Sequence, residues 1–333
     1  MRRVYVVACL AGDGLGPELM AEASRTLRKV ARMHGFSVED VHAPFGSEAL
    51  TRSGHPLPAA TRTAVLDANA VLVADAADPA LGGVEPDLDL RASLTQVLVE
   101  RGDLALLTPS GPDADGWTVE RAFELARRRR GRVVSVDHDA EWAALVDEVG
   151  SRDEEVVLDR LTLAETVRML AFQPERLDVV VAAGVVAPAL GNLAVEGDGE
   201  RRLAATGRLA GNGPSVFAPT RFQSADDAGH GVADPGSMLL AASLLLREGL
   251  GEDHAADTLV SALRETRADG AGSLAAVRRT LQTSTRDFGD AVVRMLPAVH
   301  RNAEFVPGGA GSTEPPRSVS AGFAGARAEE SAA

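Results

Sequence analysis

The chain opens with Val4-Tyr5-Val6-Val7-Ala8-Cys9-Leu10 and passes through Ala11 into Gly12-Asp13-Gly14-Leu15-Gly16-Pro17-Glu18. The first run is short and uninterruptedly apolar, as in a strand buried on both faces. After the glycines, Leu19, Met20, Ala23, Leu27 and Val30 recur at helical spacing, with Pro17 and Glu18 as helix-start signals. Strand, glycine turn and helix in succession predict an α/β sheet. The alternation continues outward: a helix from Pro58 to Asp67, a buried strand at Ala70–Val73, strands at Leu104–Leu107 and Val133–Val136 with a helix Val119–Arg130 between them, and a helix Leu161–Ala171 before a strand Leu177–Val181. Beyond Asp234 the pattern is helical, over Pro235–Arg247, Ala255–Thr266 and Asp287–His300. The tail, residues 304–333, is rich in Gly, Pro, Ser, Ala and Glu without periodicity and reads as disordered.

Composition narrows the function. With 333 residues, 45% hydrophobic and 25% charged, the chain can bury a large core or two ordinary ones. Its 48 acidic against 34 basic residues, a formal charge of -14, disfavour nucleic acid or an anionic membrane as partner and favour a small metabolite. A lone cysteine, Cys9, excludes an internal disulfide framework, and no signal-peptide pattern or long apolar run is present, so a cytoplasmic protein is expected. Two scarcities restrict the chemistry: Lys29 is the only lysine and Tyr5 the only tyrosine.

Several separated segments, in order, resemble the metal-dependent β-decarboxylating dehydrogenases, the isocitrate and isopropylmalate dehydrogenase family, with the isopropylmalate branch nearest. They are Gly12 to Glu18; Gly46-Ser47-Glu48-Ala49-Leu50 with Ser53 to Pro58; Phe123-Glu124-Leu125-Ala126-Arg127 leading to Val134-Ser135-Val136-Asp137; Gly211-Asn212-Gly213-Pro214; Ser224 to Pro235; and Thr285 to Ala291. The resemblance implies a two-domain α/β fold, with residues 1–100 and 203–303 forming a first domain and 101–202 inserted as a second that carries dimer contacts. It also implies a homodimer, NAD, a Mg2+ or Mn2+ ion, and a small carboxylate as substrate.

Oxidative decarboxylation of a 2-hydroxy acid needs a divalent cation on the hydroxyl and carboxylate oxygens, a proton carrier, and a nicotinamide that accepts hydride. The resemblance places two aspartates four apart on a helix after the Leu177–Val181 strand, but Pro188 and Asn192 stand there. A third, contributed across the dimer, corresponds to Ala164, beside Glu165. The family's lysine position holds His138, and neither Lys29 nor Tyr5 lies where the Lys/Tyr pair belongs. His138 reads either as a replacement acid/base group or as a helix-start histidine paired with Asp137 or Asp139. Cys9 reads as a nucleophile or, in a buried strand, as an inert apolar side chain.

Binding features persist. Arg91, in Leu90-Arg91-Ala92-Ser93-Leu94, matches the family's substrate arginine, with Arg101 as a second; the alternative for each is a surface helix arginine. The resemblance puts Gly14 at the cofactor turn, Asp226 at the adenosine ribose, and Asp234 where an adenine-contacting asparagine is expected. Arg221 and Phe222 replace a histidine and a glycine of the same loop. The arm that normally carries the tyrosine is shortened to Thr108–Trp117. The run Arg127–Arg130 reads as a solvated helix end favoured by the dipole.

Three functions follow: a divergent family member that binds a small carboxylate, with altered chemistry or none; a working NAD- and Mg2+-dependent oxidoreductase with ligands relocated to Asp159, Glu165, Glu196 or Asp198; or a noncatalytic regulatory subunit paired with an intact homologue.

Overall fold

The computed structural model describes residues 3–75, 78–100, 102–111, 114–196, 202–220, 228–268 and 284–305. They form two compact units, one of residues up to Leu90 and from Leu203 onward, the other Arg91–Arg202. The division at Leu90 precedes the expected residue 100 because the strand that begins there hydrogen-bonds along its length to the next one, in register from Ala92↔Pro109 to Val99↔Gly102.

In the first unit, β1 (Val4–Leu10), β2 (Ser37–His42), β3 (Ala70–Val73), β9 (Leu203–Ala210) and β10 (Ser215–Pro219) lie in the order β2-β1-β3-β10-β9. All neighbours are parallel except β9 and β10, an antiparallel hairpin. The quoted Gly211–Pro214 segment is that hairpin's turn, with Gly213 at φ +88°. Val7 to Leu10 and all of β3 are buried, as continuous apolar runs in a parallel sheet require. Helix α1 (Gly16–Met33) turns Leu19, Met20, Ala23, Leu27 and Val30 inward. Helices α2 (Gly46–Ser53) and α3 (Ala59–Leu66) follow β2, and α8 (Gly236–Leu244), α9 (Asp253–Thr266) and α10 (Thr285–Phe305) complete the unit. Every residue of α8 is buried, and it continues into a π-helical turn, Leu245–Gly249. Gly249 is needed there, since a Cβ would stand 2.9 Å from the Phe217 ring and 3.0 Å from Ala70 Cβ.

In the second unit, β4 (Leu90–Val99), β5 (Gly102–Pro109), β6 (Arg132–Val136), β7 (Val157–Arg160) and β8 (Val179–Ala182) are ordered β4-β5-β8-β6-β7. Only β4 and β5 are antiparallel. The connecting helices are α4 (Asp115–Arg127), α5 (Ala140–Gly150), α6 (Leu163–Phe172) and α7 (Val186–Glu196). Helix α4 stops at Arg127, short of the expected Arg130, because left-handed Gly131 (φ +69°) closes it with an N–H bond to the Ala126 carbonyl.

Two charged features anchor this unit. Arg202 is 2% exposed and donates to the Ala194 carbonyl (2.9 Å) near the end of α7 and the Leu170 carbonyl (2.8 Å) near the end of α6. The arginine run is a largely exposed helix end, as expected, except at Arg129. The Arg129 guanidinium bridges Asp103 and buried Asp178, each at 2.8 Å, and Arg130 donates to the carbonyls of Glu175 and Asp103, each at 2.8 Å. Burial lowers the Arg129 pKa, but the charges of Asp103 and Asp178 outweigh it and hold the pKa above the ordinary value. Arg127, Arg128 and Arg130 are exposed at that turn, and only Arg129 is drawn in. The tail from residue 306 lies outside the described residues, and no helix among the described residues is long and apolar enough to cross a membrane.

Candidate functional site

Open α/β sheets present their chemistry at the carboxyl ends of parallel strands. In the first unit that edge carries the glycine turn after β1. Gly12 and Gly14 have φ +62° and +58°, and Gly16 must lack a side chain because a Cβ would fall 1.7 Å from the Ala11 carbonyl oxygen. Nothing lies within 4 Å of a Cβ built at Gly14, so the turn is open on that side. Asp13 accepts the N–H groups of Ser47 (2.7 Å) and Glu48 (3.1 Å) at the start of α2. Burial raises its pKa, and the hydrogen bonds from Ser47 and Glu48 outweigh that, leaving the carboxyl below the ordinary range. Glu18 accepts from the Gly229 N–H at 2.7 Å, and Asp234 from the Gly236 N–H at 2.7 Å at the start of α8. Asp234, expected at the cofactor, thus also holds the turn into α8. Asp226 and Arg101 lie outside the described residues.

The sole tyrosine and lysine sit at the other end of this unit. Tyr5 is the second residue of β1, and its hydroxyl donates to Glu252 at 2.8 Å. Lys29 is thirteen residues past the start of α1, which places it about 20 Å down the helix axis from the glycine turn. Cys9 is buried, its sulfur 3.8 Å from the Val7 carbonyl, and burial pushes the thiol up to about 12. It behaves as an apolar core side chain.

In the second unit, Asp137, His138 and Asp139 follow β6. Asp137 accepts from Ser135 Oγ at 2.6 Å and pairs with Arg160 at the end of β7. Asp139 caps α5 through the Trp142 N–H (2.8 Å), and His138 Nε2 lies 3.1 Å from its other oxygen. The structure therefore pairs His138 with Asp139 and leaves Asp137 to Arg160. The His138 ring is packed between Trp142, with centroids 5.6 Å apart, and Gly184 after β8, where a Cβ would meet the ring at 3.0 Å. Asp115, in the first turn of α4, has a raised pKa because of burial; His138 pulls it down, and Asp139 and Glu141 push it up. Asp115, Trp142 and Gly184 were not foreseen as neighbours of His138. Only Gly184, a glycine two residues after a buried strand, carried a local signal. Arg91 is the second residue of β4, not a helix arginine, and its carbonyl accepts from the Ser110 N–H at 2.8 Å.

The positions expected to hold a cation sit on α6 and α7. Pro188 and Asn192 are both exposed on one face of α7, and Ala164 is exposed on α6. Glu165 closes a capping box with Thr162, accepting from its N–H at 2.9 Å and its hydroxyl at 2.7 Å. Asp159 is buried against Arg132 at 2.7 Å. Glu196, exposed, ends α7, and Asp198 lies outside the described residues. Among the described residues no group of three or more His, Cys, Asp or Glu side chains is arranged to hold a metal ion.

The family model for isocitrate/isopropylmalate dehydrogenase matches residues 6–97 and 117–292. The chain belongs to the isocitrate/isopropylmalate dehydrogenase family. The break in the match, between 97 and 117, overlaps the segment Thr108–Trp117. The chain is similar to the 3-isopropylmalate dehydrogenases of Synechococcus sp. strain CC9902 (30% identical, covering 80% of this chain and 92% of that one) and Salinibacter ruber (31%, covering 77% and 86%). Its fold is similar to the crystal structures of a beta-decarboxylating dehydrogenase from Thermococcus kodakarensis in apo form (TM-score 0.76, 20% identity, 91% and 99% covered) and of isocitrate dehydrogenase from Methylococcus capsulatus (0.72, 20%, 88% and 99%). The two-domain α/β architecture of the isocitrate/isopropylmalate dehydrogenases is therefore the fold of this chain.

Proposed function

We propose that this chain is a divergent family member that has left metal-assisted oxidative decarboxylation and uses the scaffold to hold a small carboxylate, as an enzyme of altered chemistry or as a pseudoenzyme. The placement of the only lysine and the only tyrosine carries this reading. A proton carrier must come within hydrogen-bond reach, about 2.6–3.2 Å, of the group it serves. Tyr5 is committed to Glu252 at the amino end of β1, and Lys29 lies far down α1 from the carboxyl edge. His138 takes the lysine position with its ring confined between Trp142 and Gly184.

Arg91 is the residue of this chain that would grip a carboxylate, since a guanidinium presents two parallel donors to it. NAD, which family membership implies, would find an open glycine turn at Gly14 but an Asp234 carboxylate already bonded to Gly236. We assign it no reaction step. A second reading, a homodimer or a noncatalytic subunit paired with an intact homologue, is favoured by bare apolar side chains on the second unit: Phe172 is 79% and Val185 91% exposed.

Calorimetry with isopropylmalate, NAD and Mg2+, singly and together, tests the proposal, with NADH formation followed by absorbance. The expected outcome is no turnover. Metal-dependent NADH formation by the purified chain alone would refute it, whereas turnover that appears only on mixing with an intact homologue selects the heteromeric reading.

A further inference from the structure

We infer that the second unit takes no catalytic divalent cation at the positions where family membership implies one, because those positions carry no carboxylate and the acids Glu165, Asp159, Asp147, Asp137 and Asp139 are already engaged by other groups of the chain. Mg2+ and Mn2+ demand about six oxygen donors, several of them carboxylates, to offset the loss of hydration. The α7 face offers Pro188, which has no donor, and Asn192, which has one neutral amide oxygen; Ala164 on α6 offers none. Nearby acids are occupied. Glu165 closes the capping box of α6, Asp159 faces Arg132 at 2.7 Å, and Asp147 faces Arg160 at 2.6 Å. Asp137 is also held by Arg160, and Asp139 by the Trp142 N–H and His138. For Asp159 to bind a hard cation it would have to leave Arg132 and strand a buried charge, while the others would each give up a hydrogen bond or ion pair they already make.

The substitutions are mutually consistent in charge. Two carboxylates four apart on a helix repel when no cation lies between them. Losing the carboxylates along with the ion leaves α7 stable without it. This inference shares the family assignment with the proposed function but not its proton-carrier argument: a chain lacking the lysine could still bind Mn2+. Metal binding and NADH formation therefore fail independently.

The full chain is titrated with Mn2+ in physiological salt, and free ion is read from its paramagnetic resonance signal. Three proteins are compared: the natural chain, Asn192→Ala, and Ala164→Asp/Pro188→Asp/Asn192→Asp. The natural chain should show no saturable equivalent, or only weak binding indifferent to Asn192→Ala. The triple variant should gain roughly tenfold or more in affinity. If the triple variant does not fold, Asn192→Asp alone, at an exposed helix position, should still strengthen binding measurably. One saturable equivalent in the natural chain that Asn192→Ala weakens would overturn the inference, as would a folded triple variant with no gain.

Discussion

Replacing Gly184 by alanine probes the contact that confines His138. Gly184 has φ +61°, a conformation that costs an L-residue about 1–2 kcal/mol. The new methyl would also stand 3.0 Å from His138 Cδ2, 3.3 Å from Nε2 and 3.4 Å from Cγ. The imidazole must then tilt off its rotamer, at about 0.5–1.5 kcal/mol. Gly184→Ala should therefore destabilise the second unit by about 1.5–3.5 kcal/mol, the sum of the two terms. In a His138→Ala background only the backbone term remains, so the double-mutant cycle should show a coupling of about 1 kcal/mol. Both tryptophans, Trp117 and Trp142, belong to this unit, and the Trp142 ring is 5.6 Å from His138. Urea unfolding followed by tryptophan fluorescence thus reports this unit selectively. Strict additivity of the two substitutions, or a Gly184→Ala protein as stable as the natural one, would show that the ring and the glycine are not in contact and would refute the reasoning.

Three further outcomes are expected. Arg129→Met leaves the Asp178 carboxylate, 1% exposed, with Arg130 as its remaining cation at 3.4 Å and the N–H groups of Arg130 and Arg132, and should cost the second unit roughly 3 kcal/mol in the same urea assay, with Arg129→Met/Asp178→Asn recovering part of the loss. The depressed pKa of Asp13 means that its hold on α2 is present above the unfolded carboxyl value of about 3.9 and is lost as pH falls through the lower folded value. Amide-exchange protection at Ser47 and Glu48, corrected for intrinsic rates, should therefore decline in acid for the natural chain and show no such decline in Asp13→Asn. Cys9, pushed up to about 12 by burial, should resist a thiol reagent at pH 8 in the folded protein and react fully in denaturant; fast labelling of the native chain would contradict its core position.

The sequence made some of the architecture legible and hid the rest for identifiable reasons. Uninterrupted apolar runs marked β1 and β3 to the residue, although only Val7–Leu10 of β1 and all of β3 are buried. The strand β4 was opaque: Leu90-Arg91-Ala92-Ser93-Leu94 has no helical or continuous apolar signature, and its extended form is fixed by strand pairing such as that with β5. Within the arginine run Arg129 misled, because its partners, Asp103 and Asp178, lie 26 and 49 residues from it. His138 with Asp139 was foreseeable as a local pair, but its confinement by Gly184 depends on β6 and β8 being neighbours.

What the amino-acid sequence determined alone is an inventory: one lysine, one tyrosine, one cysteine, and Pro188, Asn192 and His138 at three telling positions. No folding can add a carboxylate or an amine that the chain does not contain. Tertiary structure alone decided where Lys29 and Tyr5 end up and which cation neutralises each acid. Those pairings join residues far apart in the chain, and strand order, not local propensity, brings them within a hydrogen-bond length.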